Sequence, residues 1–313
     1  MKTVSTTFSK ARVLVIGDTI FDVYHEGTPL GISAETPTLV LRHKNSVVTL
    51  GGAGCLVRHM LELGGRAVFV TLLGKDAFSR HAEQYTHPNL VKIFVREEGR
   101  TSTVKERFWG GGYKLLTWDR LDDRPISPAI EKKILNAAEK NIRACERVAV
   151  SDYRHCMLTE SLARALIELA RAHKKPLLLD SQISQNKGNH LWYKGADLVC
   201  LNQREAASID PTWSMRMSEQ SLMRIQKIMD TRAVVVKLGA AGSVSMVENN
   251  FLKTPAIRVD ARDTTGAGDA FFAAIALSKR IGARELAIAN AWAGLSTTLV
   301  GTTPPSKNDL KAI

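Results

Sequence analysis

Short apolar runs alternate along this chain with longer stretches whose apolar residues recur at helical spacing. That is the rhythm of strands and helices laid down in turn. Ala11 to Ile16 opens as a buried strand and gives way at Gly17-Asp18, where the chain would turn out of a sheet. After Gly51-Gly52-Ala53-Gly54, Cys55 to Leu63 reads as an apolar helix closed by Gly64-Gly65, and Ala67 to Leu73 as a second buried strand. From Ser127 onward the alternation is regular. Helix Pro128 to Ile142 leads to strand Arg147 to Val150, helix Thr159 to His173 to strand Leu177 to Leu179, and Ala196 to Cys200 is the next strand. Helix Ser218 to Met229, strands Ala233 to Lys237 and Ser243 to Val247, and helices Gly268 to Lys279 and Ala283 to Thr298 follow. Polar residues come directly after the strands, as Ser151-Asp152-Tyr153, Asp180-Ser181 and Asn202 to Glu205. The pattern predicts an α/β fold: a doubly wound, mostly parallel sheet flanked by helices, with the polar strand ends on one rim.

Two regions break this rhythm. Thr19 to Val48 is punctuated by Thr28-Pro29-Leu30-Gly31 and Glu35-Thr36-Pro37, with a short strand candidate at Thr38 to Arg42. Val91 to Val95, Thr103 to Phe108 and Tyr113 to Trp118 read as strands, the last two joined by a turn at Gly110-Gly111-Gly112. A small β lid, approximately residues 18–45 and 92–118, is therefore expected as an insertion in a single domain spanning 1–313. Phe108, Tyr113 and Trp118 would give the lid an apolar face that covers a substrate or a second subunit, and a homodimer through the lid is expected.

Composition changes this picture little. The 313 residues are 44% hydrophobic and 24% charged, ordinary for a globule with a full core, and the net charge of +12 is the one unusual figure. Its basic residues are scattered without interleaved aromatics, which favours small anionic substrates over nucleic acid. Cys55, Cys145, Cys156 and Cys200 are widely spaced, as in a reduced cytoplasmic protein. Met1 to Lys10 is polar and no apolar run is long enough to span a bilayer, so neither export nor a membrane partner is expected.

The chemistry concentrates in Asp263-Thr264-Thr265-Gly266-Ala267-Gly268-Asp269-Ala270-Phe271-Phe272. Glycines just before an apolar helix let backbone N–H groups approach an anion at the helix's positive end, a phosphate-sized hole. Asp269, in the first turn, would be a helix cap or a base toward a hydroxyl. Asn202 and Glu205, three positions apart, suit either a hydrated magnesium ion or a capping box. Gly239 and Gly242 let the backbone approach a nucleotide or merely turn a hairpin, and Lys237 either offsets phosphate charge or is a solvated strand end. Asp18 is a ligand-facing carboxylate or a turn residue, with Asp22 close behind it. No phosphate loop ending in Gly-Lys-Ser or Gly-Lys-Thr is present, and no dinucleotide fingerprint. The histidines are not grouped at zinc-ligand spacing; His155, beside Arg154 on the rim, would suit a substrate phosphate or carboxylate.

Over nearly the whole chain these residues resemble the ribokinase-like carbohydrate kinases, the PfkB family. Asp263 to Phe271 matches the family's second signature, Gly51-Gly52 with the helix to Leu63-Gly64 most of the first, and Asn202-Gln203-Arg204-Glu205 its magnesium-organising segment. The resemblance implies ATP and Mg2+ as cofactors, leaves a monovalent cation open, and implies γ-phosphoryl transfer to a hydroxyl of a sugar or sugar phosphate. It makes Asp269 the base and Gly266, Ala267 and Gly268 the anion hole. Gly239 and Gly242, with Lys237, Asp263, Thr264 and Asn290, fall to the nucleotide, and Asn202 and Glu205 to the metal through water. On the acceptor side stand Asp18, Asp22, Gly51, Gly52 and Cys55, with Asp152 on the opposite rim and Lys105 and His155 toward a substrate phosphate. Val15-Ile16-Gly17-Asp18, Ile32 to Pro37, Val150 to Tyr153, and Ala289 to Gly294 through Gly301-Thr302 are most similar to the family's D-glycero-β-D-manno-heptose 7-phosphate kinases. The nucleotidyltransferase half joined to such kinases is not in the sequence, so a stand-alone kinase is expected. Three departures lie on the sugar side: Cys55 for the usual asparagine, His155 for a lysine, and Ser181-Gln182 for a Pro-Lys pair. They leave the acceptor open between that heptose phosphate, another carbohydrate or a nucleoside, with a non-catalytic sugar-binding or regulatory homologue as the remaining alternative.

Overall fold

A computed structural model describes residues 11–183 and 188–311; the polar stretch Met1 to Lys10 lies outside them. In the first strand, β1 (Arg12–Gly17), Val13 and Val15 join one core and Leu14 and Ile16 the other. Alternate residues of a strand face opposite ways, so a strand apolar at every position has to be covered on both sides. Past Asp18 the chain enters β2 (Thr19–Ile32), turns back as β3 (Leu39–Gly52), and returns through α1 (Ala53–Glu62) and β4 (Arg66–Leu73). Helix α2 (Ala77–Gln84) leads to β5 (Leu90–Arg96), followed by the hairpin of β6 (Thr103–Gly110) and β7 (Tyr113–Arg120). Then come α3 (Pro128–Ile142), β8 (Arg147–Asp152), α4 (Glu160–Ala172), β9 (Leu177–Ser181), β10 (Leu198–Asn202), α5 (Gln203–Ile209), α6 (Ser218–Met229) and β11 (Ala233–Lys237). A second hairpin, β12 (Ser243–Val247) and β13 (Asn250–Thr254), precedes α7 (Ala267–Leu277), α8 (Ala283–Ser296) and α9 (Lys307–Lys311).

The main sheet has nine strands in the order β13-β12-β11-β10-β9-β8-β1-β4-β5. It is parallel from β11 to β5, with β12 and β13 added antiparallel at one edge. Helices α3, α4 and α6 cover the Leu14 face, and α1, α7 and α8 the Val13 face, which is the doubly wound α/β architecture expected. From β1 the chain passes first to β4 and β5 and later to β8 on the other side, so β1 and β8 flank a topological switch point, where such sheets bind ligands. Among the described residues no helix is long and apolar enough to cross a membrane.

The lid is a second sheet of four strands, ordered β3-β2-β6-β7. Its extent corrects the expectation of 18–45 and 92–118. Strand β5, read as lid, pairs in parallel with β4 at the edge of the main sheet. The reason is α2: a helix between two strands returns the chain in the same direction and makes a parallel neighbour. At the other limit, β3 continues to Gly52 and β7 to Arg120, so the hairpin strand reaches the start of α1. Phe21, Val23, Leu50 and Val104 pack the lid's base with Leu73 and Ala82. Toward its tip the apolar residues lose their cover; Tyr113 is 76% and Trp118 62% exposed.

Candidate active site

Parallel register sets the rim. Gly17 is paired with Ser151, Ser151 with Asp180, Cys200 with Asp180, and Asn202 with Lys237, which brings Asp18, Asp152, Asp180, Asn202 and Lys237 to the carboxyl edge of one sheet. Helix α7 begins opposite this edge. Its N-cap is Gly266, at φ 81, a left-handed conformation that a side chain resists, and a Cβ there would stand 3.2 Å from Cys55 Sγ. The first-turn N–H groups of a helix have no intrahelical acceptor, so this end offers donors and positive potential to an anion. Asp269 lies in that turn, only 6% exposed. Burial pushes its carboxyl up to about 7, against the Tyr153 hydroxyl, which donates to it at 2.6 Å, and with Asp180 adding to the rise. A carboxyl poised near neutrality is suited to take a proton from a hydroxyl.

A cavity of about 640 Å³ opens between the ends of β9–β11 and the helices α7 and α8. Asp180, Asn202, Glu205 and Lys237 line one wall, Gly239, Ala240 and Gly242 the next, and Thr264, Gly266, Ala267, Gly268 and Asp269 its inner end. Lys237 is no solvated strand end: its Nζ donates to the Asp180 carboxylate at 2.7 Å. Burial works against the charge of Lys237, yet the Asp180 and Glu205 carboxylates outweigh it and hold the proton more firmly than usual. Asn202 and Glu205 form a full capping box, Glu205 N–H donating to Asn202 Oδ1 at 2.9 Å and Asn202 N–H to Glu205 Oε2 at 2.6 Å. Burial raises the Glu205 carboxyl, with Lys237 opposing. Among the described residues no group of three or more His, Cys, Asp or Glu converges on a metal position. The carboxylates at hand, Asp180 and Glu205, already have partners, a donor set that fits an ion held through water better than one gripped directly. The cavity's size, its glycine wall and its buried cation fit a nucleotide.

Residues 10–309 match the family described as pfkB family carbohydrate kinase. The chain belongs to the pfkB family. The bifunctional protein HldE of Bradyrhizobium diazoefficiens is 31% identical over 97% of the chain, and that of a Caulobacter strain 31% over 97%. The chain spans 63% and 62% of those relatives' length. Among solved structures, Escherichia coli phosphofructokinase-2 in complex with potassium superposes with a TM-score of 0.79 at 16% identity, covering 97% of this chain and 98% of that one. Arabidopsis thaliana ribokinase complexed with ribose and ATP gives 0.71 at 18%, covering 96% and 97%. These two likenesses show the fold. The pfkB assignment and the fold together make the chain a kinase.

In this pfkB kinase the acceptor-side residues depart from several expectations. Asp22 is buried at the lid's base, ion-paired with Arg107 at 2.5 Å, and Gly51 lies against it: a Cβ on Gly51 would fall 2.0 Å from Asp22 Oδ2. Burial, with the charges of Asp269 and Asp22 adding, drives the Cys55 thiol well above its ordinary range. Asp152 does not face an acceptor. Its carboxylate accepts from Arg154 N–H at 2.8 Å, Asn189 Nδ2 at 2.6 Å and the Tyr193 hydroxyl at 2.8 Å, all inside the protein, because the end of β8 is wholly covered. Asp18 likewise accepts from the backbone of the 153–157 loop, and burial and the charge of Asp152 raise its carboxyl. His155 is no cation; burial lowers it to about 4, helped by the charge of Lys105. Lys105 itself is ion-paired with Asp119 at 2.8 Å across the β6–β7 hairpin. On the nucleotide side, Thr264 lines the cavity while Asp263 ties Thr265 and Gly301 N–H groups at 3.0 Å each. Asn290 lines it too, its Nδ2 fixed on Ser243 Oγ and the Thr254 carbonyl.

Sequence reasoning gave no role to Tyr153 and Asp180 and set Gln182 on the sugar side, though all three line the cavity, and it missed Arg107. The first three carried a signal, since each follows or ends a buried strand on the rim. Arg107 lies two positions from Lys105 on a strand and so shares its face.

Proposed function

We propose that this kinase transfers the γ-phosphoryl group of ATP to a hydroxyl of a sugar or sugar phosphate, with Asp269 as the base. The observation that carries the reading is the buried Asp269 carboxyl, raised to about 7, at the N-terminal turn of α7 and at the inner end of a nucleotide-sized cavity. Asp269 takes the acceptor's proton as the acceptor oxygen bonds to the γ-phosphorus and the bond to the ADP oxygen breaks. The α7 N-terminus, through Gly266, Ala267 and Gly268, stabilises the charge on the group in transit. Lys237 supplies a fixed positive charge beside it, and Glu205, Asn202 and Asp180 would hold a magnesium ion through water. Such an ion screens phosphate charge.

The finer reading is D-glycero-β-D-manno-heptose 7-phosphate converted to the 1,7-bisphosphate. Its support is the likeness at Ile32 to Pro37, Val150 to Tyr153 and Ala289 to Thr302, together with the identity to the HldE proteins. A second cavity, of about 860 Å³, lies along the lid, where Tyr24, Lys44, Trp109 and Arg262 border it, and offers room and positive charge for the far end of such an acceptor. A homodimer covering the exposed lid residues is proposed on their apolar character, and a cytoplasmic location on the reduced cysteines. The deciding experiment is an ATP-dependent phosphorylation screen over sugar 7-phosphates beside the unphosphorylated sugars. Transfer to the heptose 7-phosphate supports the finer reading, transfer to other acceptors only the coarser one, and binding without transfer to any acceptor refutes both.

A further inference from the structure

The Tyr153 hydroxyl stands 2.6 Å from each oxygen of the Asp269 carboxylate, and the reaction outlined above gives it no part. A phenol has one proton to donate, and at equal distances it is shared between the two oxygens, each of which keeps lone pairs directed elsewhere. Tyr153 is itself anchored. Its N–H donates to Asp18 Oδ2 at 2.9 Å, and the N–H groups of His155 and Met157 reach the same carboxylate at 3.4 and 3.3 Å. Between these donors Arg154 and Cys156 adopt φ of 64 and 65, which side chains seldom tolerate. Alternate N–H groups thereby converge on Asp18 as they do on bound anions. Strain of this kind persists where the surroundings enforce it, and the buried Asp18 carboxylate is the enforcing group.

We propose that Tyr153 is a positioning residue for phosphoryl transfer, its hydroxyl fixing the Asp269 carboxylate so that one oxygen stays turned toward the acceptor. The proposal rests on the kinase reading above. The acceptor's proton passes to the Asp269 oxygen turned toward the acceptor while Tyr153 keeps its own. The other groups bearing on Asp269 are Asp180 and Lys237 on β9 and β11, Asp22 on β2 and Cys55 on α1.

The test compares the full chain with its Tyr153→Phe variant in ATP-dependent transfer across pH, with nucleotide binding by calorimetry and the melting temperature alongside. We expect kcat to fall about tenfold or more, since a hydrogen bond to a charged group is lost. The acid limb of the kcat profile should move to higher pH, since the Tyr153 hydrogen bond holds the Asp269 carboxyl down. A variant with native kcat and a native limb overturns the proposal, and so does a loss of kcat with the limb unmoved. Replacing Tyr153 by 3-fluorotyrosine preserves the shape and strengthens the donor; here the limb should move to lower pH, and an unmoved limb counts against the proposal even if the phenylalanine variant fails to fold. No transfer by the native chain to any acceptor would instead refute the kinase reading, and Tyr153 would then have no reaction to position.

Discussion

On the nucleotide side of the rim, groups close in sequence or on one parallel stretch of the sheet answer each other, as Asn202 answers Glu205 within one helical turn and Lys237 answers Asp180 two strands away. On the acceptor side the partners are 85 residues apart for Asp22 and Arg107 and 135 for Asp18 and Tyr153. The first arrangement is built into secondary structure and tolerates little change. The second depends on how the lid and the 153–157 loop are set against the core; Cys55 and His155 lie on that side, whereas Gln182 lines the nucleotide cavity. Under the proposed function, one half of the site carries the reaction and the other the choice of acceptor.

The sharpest way to break this division is Asp269→Asn, which should lower kcat about 10³-fold with nucleotide affinity preserved. In the native enzyme kcat should fall as pH drops through about 7, as Asp269 becomes protonated. Stability moves the other way. The folded carboxyl binds its proton more tightly than the unfolded one, so its contribution is fully present below about 4 and is lost as pH rises through about 7. Asp269→Asn should therefore raise the melting temperature at pH 8 and leave it unchanged at pH 4; equal shifts at both would contradict the assigned burial cost.

Next in size, Lys237→Met leaves the Asp180 and Glu205 carboxylates uncompensated in a mostly buried site and should cost about 3 kcal/mol in urea unfolding, together with nucleotide affinity. Gly51→Ala acts on the other half. The new Cβ displaces the Asp22 carboxylate, and the acceptor KM should rise about tenfold while the KM for ATP stays put. A parallel rise in both would dissolve the distinction between the two sides. The smallest effect is expected from Asn202→Ala, which removes one half of the capping box at α5 and should cost about 1 kcal/mol by thermal melting.

What was legible in the sequence follows the same line. Gly266 to Asp269 could be read because glycine before an apolar helix has local causes, and the three-residue spacing of Asn202 and Glu205 announced its capping box. Geometry adds what the spacing there lacks: Gly239 and Gly242 turn the β11–β12 hairpin and also line the cavity, and Lys237 is paired with Asp180. Pairings such as Lys237 with Asp180, or the Tyr153 hydroxyl with Asp269, join strands and helices whose order in space the period of hydrophobicity does not encode. The misassigned β5 has the same origin, since its apolar pattern identified a strand and said nothing of which sheet would take it.

The parallel pairing of β2 with β6 bears on how the chain assembles. Ile20 meets Thr103 and Gly27 meets Gly110, so the lid's central ladder closes a loop that contains α1, β4, α2 and β5. Closing so long a loop costs entropy before any lid contact repays it, whereas β4 and β5 with α2 between them close a short one. The order of assembly that follows is core first and lid last. During that interval β2 and β3 stand as a ribbon with both edges unpaired, a state open to mispairing with another chain.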